Sequence, residues 1–369
     1  MRRDILHIGL DVDDNFFTGA IFNSRTGKTE IFRVRPTIGA LLKYLKKLEE
    51  KGEEFRICYE ATYIGYSLCR ELRKRGVECE VIAPSLIPVK PAKKVKTDKT
   101  DAINLSRYYS RGDLTIVNVP DEEDEAVRSL IRSRSFVVEE RKRLKLHILS
   151  LCRVHNLNYK SESKRKNYWT QMHIKWLKEK ISSLNENLRK CFELLIEQYI
   201  SQNIIIEEYD REIKAASEKE RYSKKVKALN CFRGLDTLSS MTLITEIGDV
   251  KRFSHPNKLT CYSGFDIREY SSGGKEQKYG ITKMGNKRIR TTLIESCQFN
   301  FSEVKISRRL KLSREGAEMK YINIADRCME RLRKKSIMMK VKNKHHNKIK
   351  TACAREMLCF VWEALMLAS

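Results

Sequence analysis

Two aspartates stand three residues apart in the lysine-rich stretch of residues 90–102. On a helix, Asp98 and Asp101 would lie on one face, where both carboxylates could bind one metal ion or approach one phosphate through it. The five lysines of the stretch could hold the polyanion on which such a metal acts. Asp and Thr also favour the first turn of a helix, where they cap free N–H groups, so a plain helix start is the alternative from this stretch alone.

The charge of the chain points to a polyanionic partner. Lysine and arginine number 74 against 48 aspartates and glutamates, which gives a formal net charge of +26, and the basic residues recur along most of the length. Nucleic acid is the commonest partner of so basic a protein. The sequence has no apolar run near the roughly eighteen residues of a membrane span, and its early charges do not fit a signal peptide. We therefore expect a soluble, cytoplasmic protein with no membrane partner.

The length and the cysteines limit the architecture. At 369 residues, the chain is longer than one typical core, so two or three domains are expected. The 11 cysteines include no Cys-x-x-Cys pair, and several lie inside apolar periodic segments, among them Cys58, Cys69, Cys191 and Cys359. This pattern predicts buried free thiols, and it predicts neither a disulfide framework nor a zinc site.

The first 119 residues predict a mixed α/β unit. Strand patterns occur at residues 5–12, 16–22, 30–34, 55–59 and 79–83, with a further short one at 114–117. Helical patterns cover about residues 41–52, 63–75 and 97–111, so the order is β-β-β-α-β-α-β-α. If the first and fourth strands are neighbours, Asp11 and Glu60 come close together. Each acid alone could be an ordinary strand-end residue, but four acids from three elements are less easily explained by packing.

The next segment, residues 120–225, predicts long helices. An acidic break at residues 120–125 marks its start, and no glycine or proline occurs from Asp121 to Arg233. Heptad-like apolar stripes run through residues 137–151 and 177–195, which we assign to two long helices. An antiparallel helical hairpin or coiled coil is the expected form. It would mediate dimerisation, or it would only space two domains within one chain.

The C-terminal part combines a glycine turn, a serine loop and dense positive charge. Residues 232–236 form a Gly-containing turn between two short helices, as in a phosphate-binding helix-hairpin-helix, although many such turns bind nothing. Residues 270–280 include Ser-Ser-Gly-Gly-Lys, which could present a nucleophilic hydroxyl, could cradle a phosphate, or could be only a flexible turn. Residues 305–350 predict a basic helical insertion near nucleic acid, and a last helix at 352–367 should pack back on the domain.

Basic side chains near the acids and the serine loop are the candidates for contacts with nucleic acid. They are Lys93, Lys94, Lys96, Lys99, Lys275, Lys278, Lys283, Lys287, Arg288 and Arg290. We expect Lys287, Arg288 and Arg290 to be exposed on the polar side of a helix whose apolar side carries Ile289 and Leu293.

Five motifs follow one another along the chain in an order that is typical of one protein family. They are Ile8-Gly-Leu-Asp11, Tyr59-Glu60-Ala-Thr62, Lys96-Thr-Asp-Lys-Thr-Asp-Ala102, Tyr270-Ser-Ser-Gly-Gly274 and Ile281-Thr-Lys-Met-Gly-Asn-Lys287. Over nearly its full length, the chain resembles the DEDD transposases of the insertion-sequence one-ten family, the bridge-RNA-guided recombinases. One departure is Arg233-Gly-Leu-Asp236, where the family's hairpin has Pro-Gly-Ile-Gly. The carboxylate at that turn weakens the case for phosphate contact there.

The resemblance implies a metal site in the N-terminal domain. That domain would have a RuvC-like, ribonuclease-H-type fold whose four acids bind divalent metal, with two Mg²⁺ ions expected. The corresponding acids are Asp11, Glu60, Asp98 and Asp101. The expected domains are then residues 1–119, a helical coiled-coil segment at 120–225, and a mostly helical transposase domain at 226–369 with a helix-hairpin-helix-like start.

The resemblance also implies the reaction and the partners. Ser272, with Ser271 as the fallback in the doubled serine, would be the nucleophile that forms a covalent phosphoserine–DNA intermediate. The partners would be double-stranded donor and target DNA, a non-coding bridge RNA that pairs with both, and further copies of the chain in a dimer or tetramer with composite active sites. The predicted activity is Mg²⁺-dependent DNA transposition. The alternatives are a RuvC-like nuclease or junction resolvase that uses water, and a non-catalytic nucleic-acid-binding protein.

Overall fold

The computed structural model describes residues 5–88, 97–163, 167–272 and 275–369. The chain divides into two compact units, and the division falls between Asp121 and Glu122, close to the predicted end of the first domain. The first unit contains a mixed sheet. The second contains the long helices together with the C-terminal helices, and a separate role for the long-helix segment stays a prediction.

The first unit has the predicted order of strands and helices. Its elements are β1 (Ile5–Val12), β2 (Phe17–Asn23), β3 (Thr29–Val34), α1 (Ile38–Glu49), β4 (Glu54–Glu60), α2 (Ser67–Lys74), β5 (Cys79–Ile82), α3 (Asp98–Arg111) and β6 (Ile116–Val117). Most bounds agree with the sequence patterns to within about three residues. The helix expected over residues 63–75 begins only at Ser67, since residues 63–66 form turns.

One six-stranded sheet runs through this unit in the order β3-β2-β1-β4-β5-β6. β1 and β4 are parallel, as are β4 and β5, and the other neighbours are antiparallel. On one face, Ile8 and Leu10 of β1 share a buried core with Leu41 and Leu45 of α1 and Leu72 of α2. The other face receives α3. A mixed sheet covered on both faces is compatible with the expected ribonuclease-H-type fold.

Helix α3 crosses β1 at Gly9, where the strand has no side chain. A Cβ at Gly9 would lie 2.6 Å from the Ala102 carbonyl oxygen and 2.5 Å from the Ser106 backbone nitrogen, closer than real Cβ atoms come to other atoms. Glycine is therefore required here by the close approach of a helix to the strand. The ring of Tyr109, near the end of α3, lies 5.6 Å from the ring of His7, which precedes Gly9 in β1. The helix therefore runs back along the strand, and its N-terminal turn lies towards the Asp11 end of β1.

The second unit consists of helices and one hairpin. Its elements are α4 (Glu122–Val154), α5 (Tyr159–Glu162), α6 (Gln171–Ile181), α7 (Glu186–Glu218), α8 (Glu220–Asn230), α9 (Thr237–Ile247), α10 (Pro256–Tyr262), β7 (Ile267–Ser272), β8 (Lys275–Ile281), α11 (Lys287–Cys297), α12 (Arg308–Arg314), α13 (Met319–Val341) and α14 (His346–Ala368). In the described part of the chain, no helix has the length and apolar character to span a membrane.

The two long helices α4 and α7 form an antiparallel pair. Arg134 of α4 forms an ion pair with Asp210 of α7, whereas Arg141, two turns later in α4, donates to Asn203, two turns earlier in α7. Partners that advance in opposite directions are the mark of antiparallel helices. The predicted helical hairpin is therefore present, while a coiled coil that joins two copies of the chain stays a prediction.

The second of the two predicted long helices is divided. The apolar stripe at residues 177–195 is shared between α6 and α7, so the expectation of one continuous helix is wrong. Asn185 ends the break, because its side-chain oxygen accepts a hydrogen bond from the backbone N–H of Asn187 and caps α7. Leu177 of α6 still packs with Phe192 of α7 in one buried cluster.

Helix α13 belongs to the main core of the second unit. Its Ile324 and Leu332 are buried in one cluster with Met357 and Val361 of α14. The basic insertion expected at residues 305–350 is therefore, in this part, a core helix whose charges lie on its outer side. The predicted packing of the last helix against the domain is confirmed.

All 11 cysteines are free thiols, and most are buried, as predicted. Cys58 and Cys69 are among the buried ones, and Cys359 is partly exposed. Cys191 is exposed, so the prediction is wrong at that position. The reason is the register of α7, in which the neighbouring Phe192 faces the core and turns Cys191 towards solvent.

Replacing Gly9 by alanine should loosen the contact between α3 and β1. The added methyl group has no room, so we expect the free energy of unfolding of the first unit to fall by about 1–3 kcal/mol. Hydrogen exchange measured by mass spectrometry on peptides from β1 and α3 reports this locally in the full chain. Gly39→Ala in α1 is the matched control, since a Cβ there meets no described atom within 4 Å. Equal protection of these peptides in the two variants would contradict the account.

Candidate metal site and serine hairpin

Asp11 and Glu60 lie on neighbouring parallel strands. Gly9 of β1 pairs with Cys58 of β4, and the two acids follow two positions later on each strand. Side chains alternate between the faces of a strand, and the Gly9 position faces α3, which puts Asp11 on the α3 face. Cys58 shares a buried cluster with Leu105 of α3, so Glu60 is on the same face. The strand order that the sequence prediction required is therefore present.

Asp98 and Asp101 occupy the first turn of α3. Thr97 is the N-cap of this helix, and its side-chain oxygen accepts a hydrogen bond from a backbone N–H of the first turn. Capping therefore does not account for the two aspartates, although their charge also suits the helix dipole. Asp101 directly precedes Ala102, whose carbonyl oxygen abuts Gly9. Because Tyr109, later in α3, lies against His7, earlier in β1, the acidic turn lies towards the end of β1 that carries Asp11.

The four acids share one face and one end of the sheet, but their carboxylates are not gathered into a ligand set. Asp98 is exposed, and the other three are half-buried. Within residues 5–88, 97–163, 167–272 and 275–369, no three His, Cys, Asp or Glu side chains are placed to hold one metal ion. Carboxylate oxygens are ligands that Mg²⁺ favours, so the chemistry of the donors suits a divalent cation. Assembly of the four-acid site stays a prediction.

The serine stretch forms a β-hairpin. β7 and β8 pair antiparallel, and Ser272 lies opposite Lys275 in the last pair before residues 273–274, which lie outside the described residues. Most of residues 270–280, for which a flexible turn is the alternative interpretation, therefore lie in β-strands. Ser271 is exposed, and its hydroxyl donates a hydrogen bond to Glu269 Oε1 at 2.7 Å.

Backbone hydrogen bonds join the two ends of the hairpin at its base. The Lys283 N–H donates to the Gly264 carbonyl at 3.1 Å, and the Asn286 N–H donates to the Tyr262 carbonyl at 3.0 Å. Gly285 permits this approach, because its φ is +130° and a Cβ there would lie 2.2 Å from the Tyr262 carbonyl oxygen. The segments before β7 and after β8 are thus held against each other.

A buried carboxylate lies beside this base. Glu246 of α9 is 2% exposed and accepts two hydrogen bonds of 2.8 Å from Arg132 of α4. The Asn286 side-chain amide donates to the same carboxylate at 2.7 Å, and Arg288 Nε lies 3.7 Å from it. Burial by itself would raise the pKa of Glu246, but the hydrogen bonds from Arg132 and Asn286 and the positive charge nearby lower it overall. The sequence analysis missed this residue, whose signal is a single acid in the apolar helix Thr237–Ile247.

Known proteins share both the acid-bearing and the serine-bearing parts of this chain. Residues 8–155 match the DEDD transposase model of the IS110 family, and residues 226–309 match the model of the transposase IS116/IS110/IS902 family. A protein of Sinorhizobium fredii named as a transposase is 32% identical over 96% of this chain and 87% of its own. The transposase for insertion sequence element IS1533 of Leptospira borgpetersenii is 30% identical over 93% of this chain and 99% of its own. The chain belongs to the IS110 family of DEDD transposases.

Membership in this family confirms the resemblance and gives the broad activity. The protein is a transposase of an insertion sequence, a DNA recombinase that acts on a mobile element. The first matched region contains all four candidate acids, and the second contains the serine hairpin. The two parts of the candidate site therefore coincide with the two regions that the family models recognise.

The basic residues predicted to bind nucleic acid in this transposase differ in their surroundings. Those outside the described residues, or whose side chains are not described, are Lys93, Lys94, Lys96 and Lys275. Those that are exposed are Lys99, Lys278, Lys283 and Lys287. Exposure is compatible with contact to a phosphate backbone, and the contacts of these lysines with nucleic acid stay a prediction.

The expectation that Arg288 and Arg290 are exposed is wrong. Both are half-buried. Arg290 donates to the Ser263 carbonyl at 2.8 Å and to the Gly285 carbonyl at 3.2 Å, and burial lowers its pKa. Arg288 lies against the buried Glu246. Both arginines contact the hairpin base. The positions of charges on a helix could not predict this role, because it depends on partners from other elements.

The glycine turn before α9 does not present a free helix N-terminus to DNA. Asp236 caps α9 by accepting a hydrogen bond from the Ser239 N–H at 2.9 Å, and an Arg309 nitrogen lies 3.8 Å from its carboxylate. Gly234 has φ of +94°, and a Cβ there would lie 2.3 Å from the Ser296 carbonyl oxygen. Capping and close packing account for this turn, so the transposase gains no support here for phosphate binding.

The contacts of Glu246 predict an acid-sensitive second unit. Its pKa is lowered from the ordinary 4.5, so its contribution is complete above the unfolded pKa and is lost as the pH falls through the lower, folded pKa. Glu246→Gln should lower the free energy of unfolding at neutral pH by about 1–3 kcal/mol, because Arg132 and Asn286 lose a charged partner. Between neutral pH and about pH 3, the variant should then lose less stability than the wild type.

Urea unfolding followed by tryptophan fluorescence measures this effect, because all three tryptophans lie in the second unit. The control is Glu269→Gln, which changes an exposed carboxylate of the same unit and should shift the free energy of unfolding by less than about 0.5 kcal/mol. Equal losses on acidification in Glu246→Gln and in the wild type would contradict the lowered pKa.

Proposed function

We propose that this transposase attaches DNA covalently to Ser272 during strand exchange and that Asp11, Glu60, Asp98 and Asp101 hold divalent metal for this step. The observation that carries the proposal is the placement of the acids, because β1 lies beside β4 and α3 crosses the acid-bearing half of β1. This arrangement supports a RuvC-like form of the ribonuclease-H-type fold. The family relationship supports the same assignment.

The acids would hold the metal from two strands and one helix. Asp11 and Glu60 would bind from neighbouring strand ends, and Asp98 and Asp101 would complete the set from the first turn of α3. Mg²⁺ held by these four acids would supply positive charge that neutralises the scissile phosphate and favours ionisation of the attacking hydroxyl. The supporting backbone elements are already packed together, which favours assembly of the four acids around the metal.

The step assigned to Ser272 conserves the phosphodiester energy. The serine oxygen attacks phosphorus, a serine O–P bond forms, and the bond from phosphorus to one deoxyribose oxygen breaks. The serine proton is transferred, directly or through solvent, to the leaving deoxyribose hydroxyl, so the step balances without a further reactant. Because DNA remains an ester of serine, an incoming hydroxyl from another strand can reverse the step and complete the exchange.

The position of Ser272 supports its role. It lies in the last pair of a two-stranded hairpin, where a nucleophile could reach the backbone of a duplex. Lys278 and Lys283 are exposed on the returning strand and just beyond it, and they could contact flanking phosphates. Ser271 has its hydroxyl bonded to Glu269, and it stays the fallback.

Charge and exposed apolar surface support the proposed partners. The net charge of +26 supports binding of donor and target DNA and of a bridge RNA that pairs with both. Phe136 and Leu146 of α4 and Leu194 and Ile204 of α7 are each more than half exposed. Exposed apolar side chains on long helices favour contact with another protein surface, which we propose is another copy in a dimer or tetramer. In such an assembly, the serine of one copy would act with the acids of another.

Ser272→Ala should abolish the covalent intermediate. RNA that copurifies with the protein is first sequenced, and its guide segments define the DNA probe. With Mg²⁺, the wild type should give a protein–DNA band that survives denaturation, and Ser272→Ala should give none while it still binds the RNA. Asp11→Asn should reduce the amount of this band by about 100-fold or more, because the proposed metal site loses a charged ligand.

Ser271→Ala is the matched control and should form the band at close to the wild-type rate. A band that persists in Ser272→Ala and disappears in Ser271→Ala would move the nucleophile to the neighbouring residue. Cleavage of DNA by the wild type without any covalent band would instead support the water-using RuvC-like nuclease or resolvase. Full recombination by Asp11→Asn without Mg²⁺ would contradict the metal assignment.

A further inference from the structure

We propose that Glu246 is a positioning residue that fixes the direction of the serine hairpin relative to α4. The inference rests on the proposed function, because its consequence is the placement of Ser272. Glu246 lies outside both the four-acid set and the hairpin. In this role it acts through Arg132 and Asn286 and touches neither DNA nor metal.

Both oxygens of the Glu246 carboxylate are engaged, and their partners come from different elements. Arg132 of α4 donates to Oε1 through Nε and to Oε2 through a terminal nitrogen, each at 2.8 Å. Oε2 also accepts the 2.7 Å bond from the Asn286 side chain. A carboxylate and a guanidinium joined by two parallel bonds have a defined mutual orientation. The carboxylate therefore links α4 to the segment that follows β8.

Asn286 passes this orientation to the backbone. Its side-chain oxygen accepts bonds from the Arg288 N–H at 3.0 Å and the Ile289 N–H at 3.2 Å, and so caps α11. Its own N–H donates to the carbonyl of Tyr262, whose hydroxyl in turn donates to the Glu246 carbonyl at 3.4 Å. The segments on both sides of the hairpin therefore contact Glu246 or its direct partner.

The hairpin amplifies any rotation at its base. The six residues of β7 span roughly 20 Å at about 3.3 Å per residue, and Ser272 is the last of them. A tilt of about 10° at the base would move that end by about 3 Å, whereas attack on phosphorus tolerates misplacement of only about 1 Å. Small changes at Glu246 should therefore change the rate of attack more than they change DNA binding.

Burial resists such a tilt. Glu246 is 2% exposed, so rotation of the base would remove the Asn286 amide from a buried carboxylate and leave that oxygen with fewer donors, which is unfavourable. The two segments of the base also pack closely against each other at Gly264 and Gly285, since a Cβ at Gly264 would lie 2.6 Å from the Met284 carbonyl oxygen. The base should therefore move as one piece, and its bond to the buried carboxylate opposes that movement.

The test compares Glu246→Gln with Asp124→Asn in the full chain bound to its copurified RNA. Each substitution converts a carboxylate of the second unit into an amide, but Asp124 accepts its bonds from Arg221 and Tyr222 of α8. Three quantities are measured for each variant. They are the affinity for the DNA probe defined by the RNA, the rate of covalent band formation at saturating DNA, and hydrogen exchange in peptides covering residues 262–286.

Glu246→Gln should slow formation of the covalent band about tenfold or more and leave DNA affinity within about twofold, because misplacement affects attack and not binding. Exchange should rise in residues 262–286. Asp124→Asn should destabilise the unit while leaving the rate within about twofold, because its partners do not belong to the hairpin base. If only Glu246→Gln slows formation of the covalent band, the effect comes from misplacement of the hairpin and not from a general loss of stability.

A double variant provides a rescue. In Glu246→Gln with Asn286→Asp, the amide at position 246 can donate to a carboxylate at position 286, and aspartate is as good an N-cap as asparagine. The double variant should recover part of the rate lost by Glu246→Gln alone. Two destabilising changes that act independently would instead add their losses.

The outcomes separate the inference from the function on which it rests. If the wild type forms no covalent band, the proposed function fails and the positioning role falls with it. If the wild type forms the band and Glu246→Gln forms it as fast as Asp124→Asn does, the positioning role alone is overturned. A drop in DNA affinity equal to the drop in rate would also overturn it, because it would assign Glu246 to binding.

Discussion

The contact between α3 and β1 at Gly9 is the constraint on which the candidate metal site depends. Strand pairing places Asp11 and Glu60, but Asp98 and Asp101 belong to α3, whose position does not follow from the register of the strands. Only the absence of a side chain at Gly9 lets the Ala102 carbonyl come so close to the strand. That contact brings the acidic first turn of α3 over the half of β1 that carries Asp11. A glycine with no chemistry of its own thus controls the position of the helix that carries Asp98 and Asp101.

In the second unit, hydrogen bonds rather than close packing hold the serine hairpin in its orientation. The serine hairpin has only two strands, and such a ribbon is too small to hold its own direction by packing. Its direction comes from its base, where Glu246, Arg132 and Asn286 join three elements of the sequence. Both units therefore carry their candidate reactive groups on short segments, and neighbouring elements set the orientation of these segments. In the first unit, the close contact at Gly9 sets the orientation of α3. In the second unit, the ion pair and hydrogen bonds of Glu246 set the orientation of the hairpin.

The sequence predicted the parts of the structure that have a local signal. Alternating apolar residues predicted the strands, and heptad spacing predicted the helical hairpin, because each pattern depends only on residues that are close together in the sequence. The break at Asn185 has no glycine or proline to mark it, so one helix was expected where two occur. Glu246 and Arg290 were missed or misassigned for another reason. Their partners lie far away in the sequence, and a buried charge is indistinguishable from a surface charge until the fold brings those partners together.

If DNA is joined to the protein through Ser272, the linked residue can be identified by mass spectrometry. The wild-type transposase would be incubated with its RNA, Mg²⁺ and the guided DNA, denatured, and digested with nuclease and protease before mass spectrometry. We expect a nucleotide phosphate on the peptide that contains Ser272, with fragmentation placing it on that residue. A nucleotide on any other residue, or DNA cleaved with no modified peptide, would contradict it.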